Sequence, residues 1–244
     1  MKNSKILILG SNGFIGSQLL RYLNDSYEVK SAGVATEHEE LEKLIGESDI
    51  IIHTIGVTRS HDENDFFRIN VDFSLQLYTI LKKYENKKII YFSSIHYHRN
   101  DIYGFTKRYN EYLFSKKEFI YKNQTFIIRT PGIFGPGAKP NNVSVVSTFC
   151  YNKVNKFESI INDPDKELEI LFIDDLILLI EDLFQNNNNF ELIEPNTQKI
   201  SVIALYNLIE KIGNNNTKDL NEAYASSFLK NLSTTYNSFK NASK

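Results

Sequence analysis

The chain has 244 residues, enough to bury one large α/β core, or one core with a small lobe. Lys and Arg number 28 against 30 Asp and Glu, a formal net charge of −2, which offers no basic field to nucleic acid. The single cysteine, Cys150, excludes an intrachain disulfide framework and any multi-cysteine metal site, and fits a reducing compartment. No apolar stretch has transmembrane length, and the first apolar run is too short for a signal peptide. A cytoplasmic protein with neither membrane nor nucleic-acid partner is expected.

The first predicted element is the apolar run Lys5-Ile6-Leu7-Ile8-Leu9, a strand apolar on both faces as in a parallel sheet. It leads into Gly10-Ser11-Asn12-Gly13-Phe14-Ile15-Gly16. Gly10 allows the tight turn, Gly13 lets the backbone approach a pyrophosphate, and Gly16 permits close packing of the next helix. That helix, Phe14 to about Leu23, aims its free N–H groups and its positive end at phosphates. The spacing therefore predicts a dinucleotide site formed by Gly10, Asn12, Gly13, Phe14, Ile15 and Gly16. The second strand, Tyr27-Glu28-Val29-Lys30, leads to Ser31-Ala32-Gly33 with no acid at its tip. An acid there ordinarily accepts from the ribose 2′-hydroxyl of NAD. NADPH is favoured over NAD, with Lys30 expected near the 2′-phosphate.

Further strands are expected at Asp49–Thr54, Lys88–Phe92 and Thr125–Arg129, with helices at Glu37–Ile45, Asn64–Tyr84 and Tyr103–Lys122. Alternation of this kind implies right-handed crossovers and a parallel sheet, with ligand at the carboxyl ends of the strands. Tyr103 and Lys107 lie on one helix face, after a strand ending in Ser93-Ser94. A phenol is a poor acid near neutrality. Lys107 is expected to lower the pKa of Tyr103 and to hold ribose hydroxyls. His96 and His98 fall in the intervening loop. Their i,i+2 spacing without a carboxylate cluster gives no metal site, and His96 is a candidate substrate contact.

Residues 131–240 read as a smaller substrate-binding lobe beside a 1–130 core. It holds a Pro/Gly/Asn-rich segment (Pro131–Asn142), a helix at Val143–Lys156, a short strand pair, and helices at Asp174–Phe184 and Val202–Ile212. Asn186–Asn189 and Asn214–Asn216 are expected loops, and Ser233–Lys244 is expected to fray, with 241–244 a tail. Cys150 reads as a buried small hydrophobe and Asp174-Asp175 as a helix cap. The fold class is α/β, a Rossmann-type doubly wound parallel sheet with a small C-terminal lobe.

Taken in order, six stretches resemble an extended short-chain dehydrogenase/reductase of the epimerase/dehydratase type that acts on nucleotide sugars. They are Gly10-x-x-Gly13-x-x-Gly16, His53-Thr54-Ile55-Gly56-Val57, Phe92-Ser93-Ser94, Tyr103-x-x-x-Lys107, Arg129-Thr130-Pro131-Gly132-Ile133-Phe134-Gly135 and Phe172-Ile173-Asp174-Asp175. The segment Lys139–Tyr151 is similar to the K-P-N-x-x-S-V-x-x-T-F-C-Y segment of the reductase half of bifunctional reductase–cupin enzymes of capsular polysaccharide synthesis. Those enzymes reduce a UDP-linked 4-keto-6-deoxy-N-acetylhexosamine with NADPH, on the route to UDP-N-acetyl-L-fucosamine.

The resemblance implies the same reduction here. It assigns Ser94 to orient the carbonyl, Tyr103 to donate the proton, and Lys107 to support it. It places Ile55, Gly56 and Pro131 at the cofactor, and Lys139 and Asn141 at the substrate diphosphate. It also implies a homodimer through helices 64–84 and 103–122. A helix asparagine often falls at Asn70 in the family; a cap or a solvated side chain is the alternative. Gly132 stands where the family has an asparagine that helps hold the sugar nucleotide. The chain ends where the cupin domain would begin, so no catalytic metal is expected. Two other readings stay open: a 4-epimerase holding NAD tightly, and a non-catalytic NADP-binding protein on the same fold. An intact Ser94, Tyr103 and Lys107 argue against the last.

Overall fold

Four runs, Ile6–Leu9, Ile50–Ile52, Ile89–Phe92 and Phe126–Ile128, are almost wholly buried, as parallel strands covered on both faces must be. The computed structural model describes residues 4–141, 144–216 and 224–242. In chain order the elements begin with β1 (Lys5–Leu9), α1 (Phe14–Leu23), β2 (Glu28–Ala32), α2 (His38–Glu47) and β3 (Ile50–His53). A π-helical stretch, Phe66–Asp72, runs into α3 (Phe73–Leu81), followed by β4 (Lys88–Ser94), a 3₁₀ turn (Ile95–His98), α4 (Ile102–Phe114), α5 (Lys117–Ile120) and β5 (Gln124–Thr130). The remainder is β6 (Gly132–Phe134), α6 (Val145–Asn155), β7 (Glu167–Phe172), α7 (Ile173–Gln185), β8 (Phe190–Ile193), β9 (Gln198–Ser201), α8 (Val202–Gly213) and α9 (Ser226–Ala242).

Among the described residues the strands form a six-stranded sheet of order β2-β1-β3-β4-β5-β8, parallel throughout. A second sheet, β6-β7-β9, pairs β6 with β7 in parallel and β7 with β9 antiparallel. The large sheet is doubly wound: the chain steps from β1 to β2, then crosses back to β3 on the other side of β1. The switch point between β1 and β3 opens a crevice at their carboxyl ends. No helix among the described residues is long and apolar enough to cross a membrane.

The chain divides into two compact units, residues 1–130 with 177–195, and residues 131–176 with 196–244. The return of 177–195 differs from the sequence pattern, which puts all of 131–240 in one lobe. The reason is non-local: β8 pairs along β5, with Thr125 opposite Phe190 and Ile128 opposite Ile193. Two helices also differ from expectation. The stretch expected to run from Tyr103 to Lys122 stops at Ser115, which caps α4 outside helical geometry and returns its hydroxyl to the Tyr112 carbonyl. Beyond Ser226, α9 continues to Ala242 because Phe228, Leu229, Leu232, Thr235 and Tyr236 give it a buried face; the expected fraying begins too early. Residues 243–244 lie outside the described residues.

Two adjacent lysines tie helices to the sheet. Neither α2 nor α7 has a basic residue in its last turn. Lys87, just before β4, donates to the carbonyls of Gly46 and Ser48 at 2.8 and 2.5 Å, closing the end of α2. Lys88, the first residue of β4, donates to Leu183, Phe184 and Asn186 at 2.9, 2.7 and 2.8 Å, closing the end of α7. Successive side chains of a strand point to opposite faces, so one dipeptide reaches helices on both. Each ammonium meets carbonyls carrying the negative end of a helix dipole. Lys88→Met removes the buried ammonium from all three carbonyls, of which Leu183 O keeps the Asn186 amide. It should lower stability by about 2–4 kcal/mol, read as a drop in the guanidinium midpoint at unchanged slope.

Candidate active site

The turn after β1 is shaped by backbone contacts that side chains would block. Gly10 has φ +97°, and a Cβ there would lie 2.8 Å from Thr54 Oγ1. A Cβ on Gly16 would sit 2.2 Å from the Gly10 carbonyl oxygen, so only glycine lets α1 pack onto the turn. Gly13 donates its N–H to the same oxygen at 3.0 Å and begins α1 with no side-chain cap. Phe14 and Ile15 follow, half-buried, in the first turn of α1. A crevice of about 410 Å³ opens here, lined by Gly10, Asn12, Ser31, Gly33, Thr36 and Ile55 among others. A side-chain-free cradle at a helix N-terminus matches the chemistry of a dinucleotide pyrophosphate.

Lys30, expected near the 2′-phosphate, stands in β2 with an exposed side chain. Its ammonium is paired with Glu47 at 2.7 Å, and it is not among the residues lining the crevice. In β2 the side chains alternate, so Ser31, the next residue, faces the crevice instead. No carboxylate and no cation is among the lining residues.

At the carboxyl end of β4, Ser94 lies near enough to Tyr103 for its hydroxyl to favour the ionised phenol. Ser94 Oγ accepts from the His96 amide at 3.1 Å. Tyr103 stands in the first turn of α4. Asp101 caps that turn by accepting from Gly104 N at 2.8 Å, and a Cβ on Gly104 would lie 2.2 Å from the Arg99 carbonyl oxygen. One turn on, Lys107 is buried and donates to the Phe92 carbonyl at 2.9 Å. Its ammonium lies 5.5 Å from the Tyr91 ring centre and 5.7 Å from that of Tyr103. The backbone at Gly56 passes beside it: a Cβ there would lie 3.5 Å from Lys107 Nζ.

Burial lowers the pKa of Lys107 to about 8, with Glu111 opposing the shift. The Tyr103 phenol is pushed above its ordinary value by burial, against the pull of Ser94 and Arg99. That corrects the expectation that Lys107 would lower it. Desolvation of the phenolate by burial is the largest cause. His53, wholly buried, is held neutral with a pKa of about 3, and its Nε2 pairs with Ser74 Oγ at 2.9 Å.

Asn70 is more than a solvated or capping residue. Its Oδ1 accepts from Val57 N at 2.8 Å, while its Nδ2 donates to Val57 O at 3.0 Å and to Thr106 Oγ1 at 3.2 Å. The side chain thus fixes the loop after β3 against α4, beside Lys107. The wider π-helical register carries Asn70, and α-helical periodicity gives no sign of it. The first unit thus brings together Ser94, Tyr103, Lys107, Gly56 and Ile55. His96 is exposed on the turn between Ser94 and Tyr103. Pro131, Lys139 and Asn141 belong to the second unit. There Pro131 is buried and Lys139 exposed, and Asn141, at φ 59°, donates its amide to Thr148 Oγ1 at 2.9 Å.

Lys107 makes stability depend on pH in a defined direction. Its pKa is lowered on folding, so between about 8 and its ordinary value near 10.5 the unfolded chain holds more protons. Its contribution to stability therefore rises as pH rises through that window. Urea melts at several alkaline pH values should show this rise in the wild type and a flatter profile in Lys107→Met.

The profile of the NAD dependent epimerase/dehydratase family matches residues 6–192. UDP-2-acetamido-2,6-beta-L-arabino-hexul-4-ose reductase of Pseudomonas aeruginosa is 28% identical over 176 residues, covering 71% of this chain and 47% of that protein. The crystal structure of capsular polysaccharide assembling protein CapF from Staphylococcus aureus matches with a TM-score of 0.80 and 27% identity, over 98% of this chain and 66% of that one. UDP-glucuronic acid 4-epimerase from Bacillus cereus, in complex with NAD, matches in fold with a TM-score of 0.81 at 19% identity, over 98% of this chain and 100% of that one. The chain spans about half the length of the curated relative it matches. With the glycine turn, the doubly wound sheet and the Ser94–Tyr103–Lys107 cluster all inside the matched region, this chain belongs to the NAD dependent epimerase/dehydratase family.

Proposed function

We propose that this chain uses NADPH to reduce the C4 keto group of a UDP-linked 4-keto-6-deoxy-hexosamine, in surface polysaccharide biosynthesis. The observation that carries the reading is the gathering of Ser94, at the end of β4, with the buried phenol of Tyr103 and the buried ammonium of Lys107, 5.7 Å from the Tyr103 ring centre. Likeness to a named hexulose reductase and to CapF supports the substrate class. The nicotinamide, when bound, supplies the hydride. Ser94 donates a hydrogen bond to the carbonyl oxygen and orients it. Tyr103, kept protonated by burial, gives its proton to the developing alkoxide. Lys107 stabilises the phenolate left behind and holds ribose hydroxyls. A 4-epimerase must first oxidise its sugar, with Tyr103 as base, and a phenol raised by burial suits the donor role better.

Other assignments belong to the same reading. The lack of a carboxylate among the crevice-lining residues supports NADPH over NADH, with Ser31 rather than Lys30 at the 2′-phosphate. His96, and on the second unit Lys139 and Asn141, are assigned to the substrate. Exposed Phe67, Leu75, Phe105 and Tyr112 on the π-helical stretch, α3 and α4 support a homodimer through these helices.

Tyr103→Phe removes the proton donor alone. NADPH oxidation with a panel of UDP-linked 4-keto sugars should fall by about 10²–10⁴-fold, while NADPH affinity holds. Near-normal turnover in a folded variant removes Tyr103 from the mechanism. Calorimetric titration should give tighter binding of NADPH than of NADH. A preference for NADH would overturn the cofactor assignment.

A further inference from the structure

The segment that joins Ser94 to Tyr103 has little structure of its own to hold it. It is a four-residue 3₁₀ turn followed by the approach to α4. Such turns are short and make poor hydrogen-bond ladders. Hydroxyls that act together on one carbonyl oxygen must nevertheless be held closely, since a misplacement of about 1 Å can cost about 10²-fold in rate.

A charged cluster lies against this segment, and the reaction proposed above leaves it unused. Arg129 on β5 and Glu111 on α4 both have side chains only 13% exposed. Arg129 Nε and Nη2 donate to the two oxygens of Glu111 at 3.0 and 2.8 Å, a bidentate fork. Its Nη1 donates to Glu194 Oε1 at 2.9 Å. Glu111 also accepts from Ser93 Oγ at 2.5 Å, directly beside Ser94. The Arg129 guanidinium stacks on the ring of Tyr97, 3.4 Å from its centre, at the middle of the 3₁₀ turn. Arg108 completes the hold, donating to the carbonyls of Tyr97 and Arg99.

We propose that the Arg129–Glu111 pair and the Tyr97 ring that stacks on it are positioning residues that hold Ser94 and Tyr103 in register for proton transfer. The proposal rests on the reading of Ser94 and Tyr103 as the groups that act on the carbonyl. Glu111 fixes the strand end through Ser93, and Arg129 fixes the turn through Tyr97. One ion pair therefore sets both ends of the gap the substrate carbonyl enters. Arginine is required at 129 because only a planar guanidinium can fork onto Glu111 and stack on a ring at once. Glu111 stands one turn beyond Lys107 on α4, and its charge supports the Lys107 ammonium against burial.

The test uses the full chain and three variants. Tyr97→Ala removes the stacked ring, Arg129→Lys keeps the charge but loses the fork and the stack, and Tyr97→Phe keeps the ring. Amide hydrogen exchange over residues 95–102 is followed for each, with exchange in β1, β3 and β4 as the reference for global stability. Tyr97→Ala and Arg129→Lys should speed exchange over 95–102 and leave the reference strands protected, and Tyr97→Phe should match the wild type. With a UDP-linked 4-keto sugar, kcat should fall about tenfold in the first two at an unchanged KM for NADPH, and recover in Tyr97→Phe. Unchanged exchange over 95–102 in both, or faster exchange with unchanged kcat, overturns the proposal. A wild-type chain that turns over none of the sugars overturns the proposed reaction instead, and the exchange comparison then decides the clamp by itself.

Discussion

Everything polar at the two ends of β4 has to be met inside the protein, because all seven residues of this strand are buried between parallel neighbours. That constraint organises the first unit. At the amino end, Lys87 and Lys88 turn to opposite faces and satisfy the carbonyls that α2 and α7 leave unpaired. At the carboxyl end, the Phe92 carbonyl takes the ammonium of Lys107, Ser93 takes Glu111, and Ser94 takes the amide of His96. The candidate chemistry sits where a buried strand runs out of backbone partners and hands its last groups to α4.

Beneath Lys107 the same requirement produces a polar seam in an apolar core. Asn110 Nδ2 lies within 2.7 Å of Asn70 O, 3.0 Å of Ser74 Oγ and 3.1 Å of Tyr91 OH, and Ser74 in turn pairs with His53. Asn70 continues the seam to Val57 and Thr106. Burial holds His53 neutral and Tyr91 protonated, so the charge that remains in this seam is that of Lys107, with Glu111 one turn on. A charge that cannot be screened by water keeps its effect over several ångströms. Lys107 therefore stays mostly protonated near neutral pH, even though burial costs it part of its basicity.

Local chemistry made much of this legible in advance. Gly10, Gly13 and Gly16 could be read because each answers a steric demand visible in the spacing alone, and the structure shows the atoms that impose it on Gly10 and Gly16. Tyr103 and Lys107 stand out because their i,i+4 spacing puts them on one face of a helix that follows a strand end, whereas Ser94 is told from Ser93 only by the family resemblance. For Lys30 the sequence shows which residue ends a strand but not that its ammonium pairs with Glu47, from α2. Asn70 was underweighted, because a π-helical register turns inward a side chain that α-helical counting leaves ambiguous.

The sequence by itself determined the parallel strands, the crossover helices and the residues of the glycine turn, since these follow from hydrophobic period and backbone sterics over short spans. Only the tertiary structure decided that 177–195 returns to the first unit, that Arg129 meets Glu111 and Tyr97, and that the phenol of Tyr103 is raised rather than lowered. Those outcomes depend on which distant groups share one buried space. Pairing partners and desolvation are properties of that space, and residue order along the chain does not carry them.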